Sequence, residues 1–179
     1  MFVELSVVFN GKEYRVVYGC LKSVDAGEFQ AAVDWARRNA GSDPWLVLLR
    51  DCCKIPDKRV IVSSLLHSLR NYSSGKMISK NLVHELLIFI LGVRNIREAT
   101  EFFASGEGEN IGYICMSSRG RDYVLNTLEV FKKELGLVEE GFNEDCWVER
   151  YSAYLGVPPE RELLVRVLRA RATLLTLTL

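Results

Sequence analysis

The chain has 179 residues, with 23 basic and 23 acidic side chains and a formal net charge of zero. That length suits one domain of ordinary size, and 49% apolar residues against 26% charged exclude a disordered or low-complexity chain. The longest strongly apolar run, Leu86 to Gly92, is too short to span a bilayer. Met1 to Asn10 carries Glu4 and no basic cluster, so it reads as neither a signal nor a transit peptide.

The opening residues Val3 to Phe9 alternate loosely and run into Asn10-Gly11, a two-residue turn signal, so Glu13 to Tyr18 reads as the return strand of a hairpin. Asp25 and Glu28 form a capping-box pattern ahead of a helix carrying Phe29, Ala32, Val33, Ala36 and Ala40, which Gly41 and Pro44 end. Trp45 to Leu49 is a continuous apolar strand of the kind buried on both faces. Pro56 and Asp57 mark a turn before a helix from about Arg59 to Tyr72, closed by Ser73-Ser74-Gly75. A second helix is expected over Ser79 to Leu91, capped by Gly92, and a short third one from Asn95, broken by Gly106 and Gly108. Then come a strand over Ile111 to Ser117 and helices over Arg121 to Leu135 and Glu144 to Leu155. A last helix opens at Val157-Pro158-Pro159-Glu160. The order predicts one α/β domain, a small mixed β-sheet with packed α-helices, spanning residues 1–179. The apolar tail, residues 173–179, reads by the period-two alternation of Leu175, Leu177 and Leu179 as a strand, in competition with a continued helix. It either completes the domain or docks on a partner.

Five cysteines, Cys20, Cys52, Cys53, Cys115 and Cys146, make an odd number with no secretion signal, which points to free thiols in a reducing compartment. Cys20 and Cys115 lie in strand-like runs as core residues. The vicinal pair Cys52-Cys53 stands between Arg50 and Lys54, where cations would lower a thiol pKa. That pair, or His67, defines an alternative reading as a small thiol- or histidine-based enzyme. Dinucleotide, nucleotide-loop, nucleophile-elbow and zinc-protease motifs are absent. The acidic pairs Glu139-Glu140 and Glu144-Asp145 read as solvated surface, so neither a metal nor a cofactor is expected.

Charge is unevenly spread along the chain. Residues 50–97 carry 9 basic and 3 acidic side chains, a net of +6, whereas residues 98–149 carry 4 and 12, a net of −8. Within the basic block, Arg70, Lys76, Lys80, Arg94 and Arg97 fall on one helix–loop–helix–loop–helix unit, with Tyr72 among them. Cations at helix ends suit a phosphate backbone, and arginine or tyrosine can stack on a base.

The stretch VSSLLHSLRNYSSGKMISKNLVHELLIFILGVRNIREATEFF, residues 62–103, resembles the central signature of the small kinase-binding subunit of the KEOPS complex, the PRPK-binding protein (TPRKB) family. The residues that carry the resemblance are Arg70, Asn71, Gly75, Lys76, Lys80, His84 to Leu87, Gly92, Arg94, Ile96 and Ala99, while Asn95 stands where the family often has glutamine. The strand Trp45 to Leu49, the segment Tyr154 to Val157 and the leucine tail also fit. The resemblance implies a non-enzymatic subunit that binds a small atypical kinase/ATPase within a complex making threonylcarbamoyl-adenosine in tRNA. It implies help in recruiting tRNA, including the 3′ CCA end, and a cytoplasmic location, nuclear as well in a eukaryote. On that reading Arg70, Lys76, Lys80, Arg94 and Arg97 become candidate tRNA contacts, and Leu174, Leu175, Leu177 and Leu179 candidate kinase contacts. A purely structural kinase adaptor without RNA contact is the remaining alternative.

Overall fold

The structure, a computed structural model, describes residues 2–22, 27–40, 42–106 and 110–178. The expected cap Asp25, Gly41, the acidic loop residues Glu107, Gly108 and Glu109, and Leu179 lie outside the described residues. The chain divides into two compact units, Met1–Ile55 with Ser105–Phe142, and Pro56–Ala104 with Asn143–Leu179.

The first unit is built on an antiparallel sheet. Strand β1 (Val3–Phe9) and strand β2 (Lys12–Lys22) form the expected hairpin, in register from Val3 opposite Tyr18 to Phe9 opposite Lys12. Asn10 and Gly11 turn it with φ of 50° and 75°, a pair of left-handed residues whose twist matches that of the strands. Helix α1 (Gly27–Asn39) leads to β3 (Trp45–Leu49), and β4 (Asn110–Ser117) is followed by α5 (Arg121–Leu135) and β5 (Val138–Glu140). The strand order is β1-β2-β4-β3, with β5 pairing Cys20 to Lys22 at the far end of β2. Every pairing is antiparallel, so the mixed strand directions expected from the element order are not found within this α/β architecture. Strand β5 was not expected, because Glu139 and Glu140 read as solvated acids. Three residues are too few for a periodic signal, and only the open end of β2 selects them.

Helices α1 and α5 lie on one sheet face. Trp35 packs tilted against Phe131 at 5.0 Å, and Ala32, Ala36, Val124 and Leu128 close over Val17, Leu21, Tyr113 and Cys115. Ala32 and Ala36, small and buried, let α1 approach the sheet closely. On the other face Gly112 admits the 3₁₀ turn Cys52–Lys54, since a Cβ there would stand 3.1 Å from Ile55 and 3.3 Å from the Cys52 backbone.

Cysteine chemistry departs from expectation. Cys20 is bonded to Cys52 across 32 residues, and Cys53 and Cys146 are also disulfide-bonded. The one free thiol, Cys115, is buried in β4, and burial pushes its pKa up to about 12. The expectation of free thiols fails because pairing depends on which cysteines the fold brings to within disulfide reach, which spacing along the chain does not reveal. Thiol counting checks this. Without reductant the native protein should show no reactive thiol, and the denatured protein one per chain. A second thiol in the denatured, unreduced chain would overturn the assignment.

The second unit is helical: α2 (Lys58–Ser74), α3 (Leu82–Leu91), α4 (Ile96–Ala104), α6 (Trp147–Leu155) and α7 (Arg161–Leu177). Helix α3 is buried almost all round, from Leu86 to Leu91, as its apolar sequence requires of a central helix. Helices α2, α4 and α7 pack against it. Phe102 of α4 meets Tyr151 and Tyr154 of α6, with Phe103 against Phe102 and Trp147 against Tyr151 completing an aromatic cluster. The strand reading of residues 173–179 is corrected: α7 continues through Leu177, with Leu164, Leu168, Ala172 and Leu175 buried at helical spacing. Of the alternating leucines only Leu175 continues the buried stripe from Leu164, while Leu177 turns to the opposite side, so the helical period wins over the alternation.

Candidate nucleic-acid interface

The charge asymmetry of the sequence becomes spatial. The second unit holds 12 basic and 9 acidic side chains, a net of +3, against −3 for the first. Two of the four acids of its first stretch, residues 56–104, are turned inward, Asp57 being 4% exposed and Glu85 fully buried, while Glu98 and Glu101 are exposed on α4. Arg70, Lys76, Lys80, Arg94 and Arg97 are all exposed. The surface is therefore more basic than the residue totals say.

The α2–α3 connection is shaped from within. Gly75 ends α2 in the left-handed conformation and its N–H returns to the carbonyls of Asn71 and Tyr72, while Lys76 N–H donates to Asn71 at 2.9 Å. Asn81 caps α3 by accepting from His84 N–H at 2.8 Å. Between them the Glu85 carboxylate reaches back from α3. It accepts from the Asn71 side chain at 3.0 Å, from Ile78 N–H at 3.1 Å, and from the Ser79 N–H and hydroxyl at 2.8 and 2.9 Å. Arg70, at the end of α2, and Lys76 and Lys80, on the loop, stand on this frame. Among the described residues none of the three forms an ion pair.

The other two basic candidates are engaged. Arg97 donates to Glu101 one turn on at 2.8 Å, an exposed pair of small energetic weight that nevertheless offsets its charge. Arg94 donates to the Thr178 carbonyl at 3.1 Å, so it caps the C-terminal end of α7, where a cation meets the negative end of the helix dipole. His67 of α2 stacks on Phe89 at 5.4 Å and shares a 2.8 Å hydrogen bond with Thr176 of α7. Burial, and then the charge of Arg70, lower its pKa. Through His67 and Arg94 the end of α7 is tied to both α2 and the α3–α4 turn.

The leucine candidates separate. Leu175 is 6% exposed and belongs to the unit's own core, which corrects its assignment as a partner contact, since it sits on the same helical stripe as Ala172. Leu174 and Leu177 are 60% and 76% exposed on α7 and remain available. In the sequence Asp57 marked only a turn and Glu85 only part of the His84 to Leu87 motif, and neither was a candidate site residue, although Glu85 stands out as a lone acid inside the apolar run of α3.

For the enzymatic alternative, Cys52 and Cys53 are spent in disulfides, and the His67 Nδ1 atom is occupied by a threonine hydroxyl. No cluster of three metal-ligating side chains occurs among the described residues, and no helix among them is long and apolar enough to cross a membrane. The arrangement is that of a small α/β protein with a basic helical unit. No family model matches the chain, and no curated protein matches it.

Proposed function

We propose that this chain is a non-catalytic accessory subunit of the KEOPS tRNA threonylcarbamoyl-adenosine modification complex. In this reading it binds the complex's small kinase/ATPase and helps recruit tRNA, including its 3′ CCA end. The observation that carries the reading is the exposed trio Arg70, Lys76 and Lys80, free of ion pairs among the described residues and held on a connection whose own acid is buried. It supports the resemblance on the very residues that carry it. Exposed Leu174 and Leu177 are the surface proposed for the kinase. The proposed working compartment is the cytoplasm, and the nucleus as well in a eukaryote.

Lys76 and Lys80 offer the cleanest test, because removing Arg94 would also uncap α7. In a gel-shift titration with full-length tRNA, wild-type affinity should fall as salt rises, and the K76A/K80A double variant should bind at least fivefold more weakly. Both lysines point away from the core, so its melting temperature should match the wild type. Unchanged affinity would leave the adaptor without RNA contact as the surviving reading.

A further inference from the structure

We infer that Glu85 is the positioning residue of this surface: its buried carboxylate sets the shape of the α2–α3 loop on which the RNA affinity of Lys76 and Lys80 depends. The inference rests on the tRNA reading above. Glu85 is 0% exposed, and the four donors on its carboxylate, from Asn71, Ile78 and Ser79, are neutral. A carboxylate buried among neutral donors carries a desolvation cost that a leucine in the same apolar helix would avoid. What leucine could not do is accept from two successive backbone N–H groups, those of Ile78 and Ser79, and so turn the chain between the helices. The two lysines bracket that turn. Lys80 follows Ser79 directly, and Lys76 is fixed at the other end by its bond to Asn71, itself held by Glu85. The Ser79 hydroxyl also lies 2.8 Å from the Asn81 carbonyl, so its single hydrogen is shared between that carbonyl at the α3 cap and Glu85.

Glu85→Gln keeps the volume but exchanges one acceptor oxygen for an NH2 group. That group must face either the Asn71 and Ile78 donors or the two on Ser79, so donor meets donor on one side. In the full-length chain, amide exchange at Ile78 and Ser79 should accelerate at least tenfold. Affinity for a full-length tRNA transcript should fall about as far as in K76A/K80A. The slope of log K against log salt should flatten by the same amount, about 1.4 to 1.8 for two phosphate contacts. Adding E85Q to the double-lysine variant should then change neither quantity further. A role confined to stability would lower the melting temperature and leave the salt slope of the folded protein at its wild-type value. That result, or wild-type exchange at residues 78 and 79 in folded E85Q, overturns the inference. If E85Q does not fold, Asn71→Ala removes one donor from the same carboxylate. It should raise exchange at Ile78 and weaken tRNA binding about threefold, and wild-type values there overturn the inference too. If K76A/K80A itself binds tRNA like the wild type, the RNA reading has failed. The exchange measurement then decides alone whether Glu85 shapes the loop.

Discussion

Replacing Asp57 by alanine is expected to cost about 3 kcal/mol, measured by chemical denaturation, because one side chain closes three elements of the second unit. Asp57 caps α2 through a 2.9 Å bond from Arg59 N–H. It also takes the Arg59 guanidinium at 3.0 Å on each oxygen and Arg161, from the start of α7, at 2.7 and 2.9 Å. Arg59 reaches on to Glu162, and Arg161 to Asp145 ahead of α6. The cap alone contributes about 1 kcal/mol. Both arginines are about two-fifths exposed and keep a second carboxylate each, which limits the remainder. Burial by itself would raise the Asp57 pKa, but the bonds from Arg59 and Arg161 outweigh it and hold the carboxyl far below its ordinary value of 3.8. A depressed folded pKa gives stability that is fully present above the unfolded value and is lost on acidification. The advantage of the wild type over Asp57→Asn should therefore be constant above about pH 5 and shrink below about pH 4, by up to about 1.4 kcal/mol per pH unit. An advantage that does not change between pH 5 and pH 2 would show that the carboxylate is not held by the arginines.

Gly92→Ala is expected to destabilise the protein by about 3 kcal/mol, against about 1 kcal/mol for Gly75→Ala, although the two glycines share one backbone conformation. Both end a helix with φ of 67°. A Cβ on Gly75 would meet nothing within 4 Å, so only the left-handed conformation is penalised there. A Cβ on Gly92 would stand 2.3 Å from Cβ of Arg171, a contact no rotamer relieves, because a Cβ moves only with its backbone. The Arg171 side chain also donates to the Gly92 carbonyl at 3.3 Å, so α7 lies directly against the end of α3. Gly92 opens the Gly-x-Arg turn of the resemblance, and Arg94 two residues on caps α7. Thermal melts of the two variants side by side separate the steric cost from the conformational one. Equal shifts would mean that α7 can withdraw from Gly92 at no cost.

These residues define how far the sequence could be read. The Asn10-Gly11 hairpin, the strand Trp45–Leu49 and the helix Arg121–Leu135 appear where periodicity and turn residues put them, because each is decided by neighbours a few positions away. Helix starts are less exact. The α3 helix begins at Leu82 rather than Ser79, since Glu85 draws Ile78 and Ser79 into the loop. The basic cluster was visible as composition, but its members differ in ways that only long-range contacts create. Arg94 caps a helix 84 residues away, Arg97 pairs locally, and Arg70, Lys76 and Lys80 remain unpaired among the described residues.

The α/β class, the order and period of the main elements, and the concentration of cations between residues 50 and 97 all follow from the amino-acid sequence. All of these are local or additive properties of the chain. The meeting of Cys20 with Cys52, and the extension of a helix over residues 173–177 with Leu175 facing inward, arise from long-range packing. It alone turned Asp57 and Glu85 away from solvent. Burial, disulfide reach and the pairing of a buried charge depend on residues brought together from distant positions. A neutral chain can therefore carry a basic unit, because its balancing acids lie largely in the other unit and two of its own are buried.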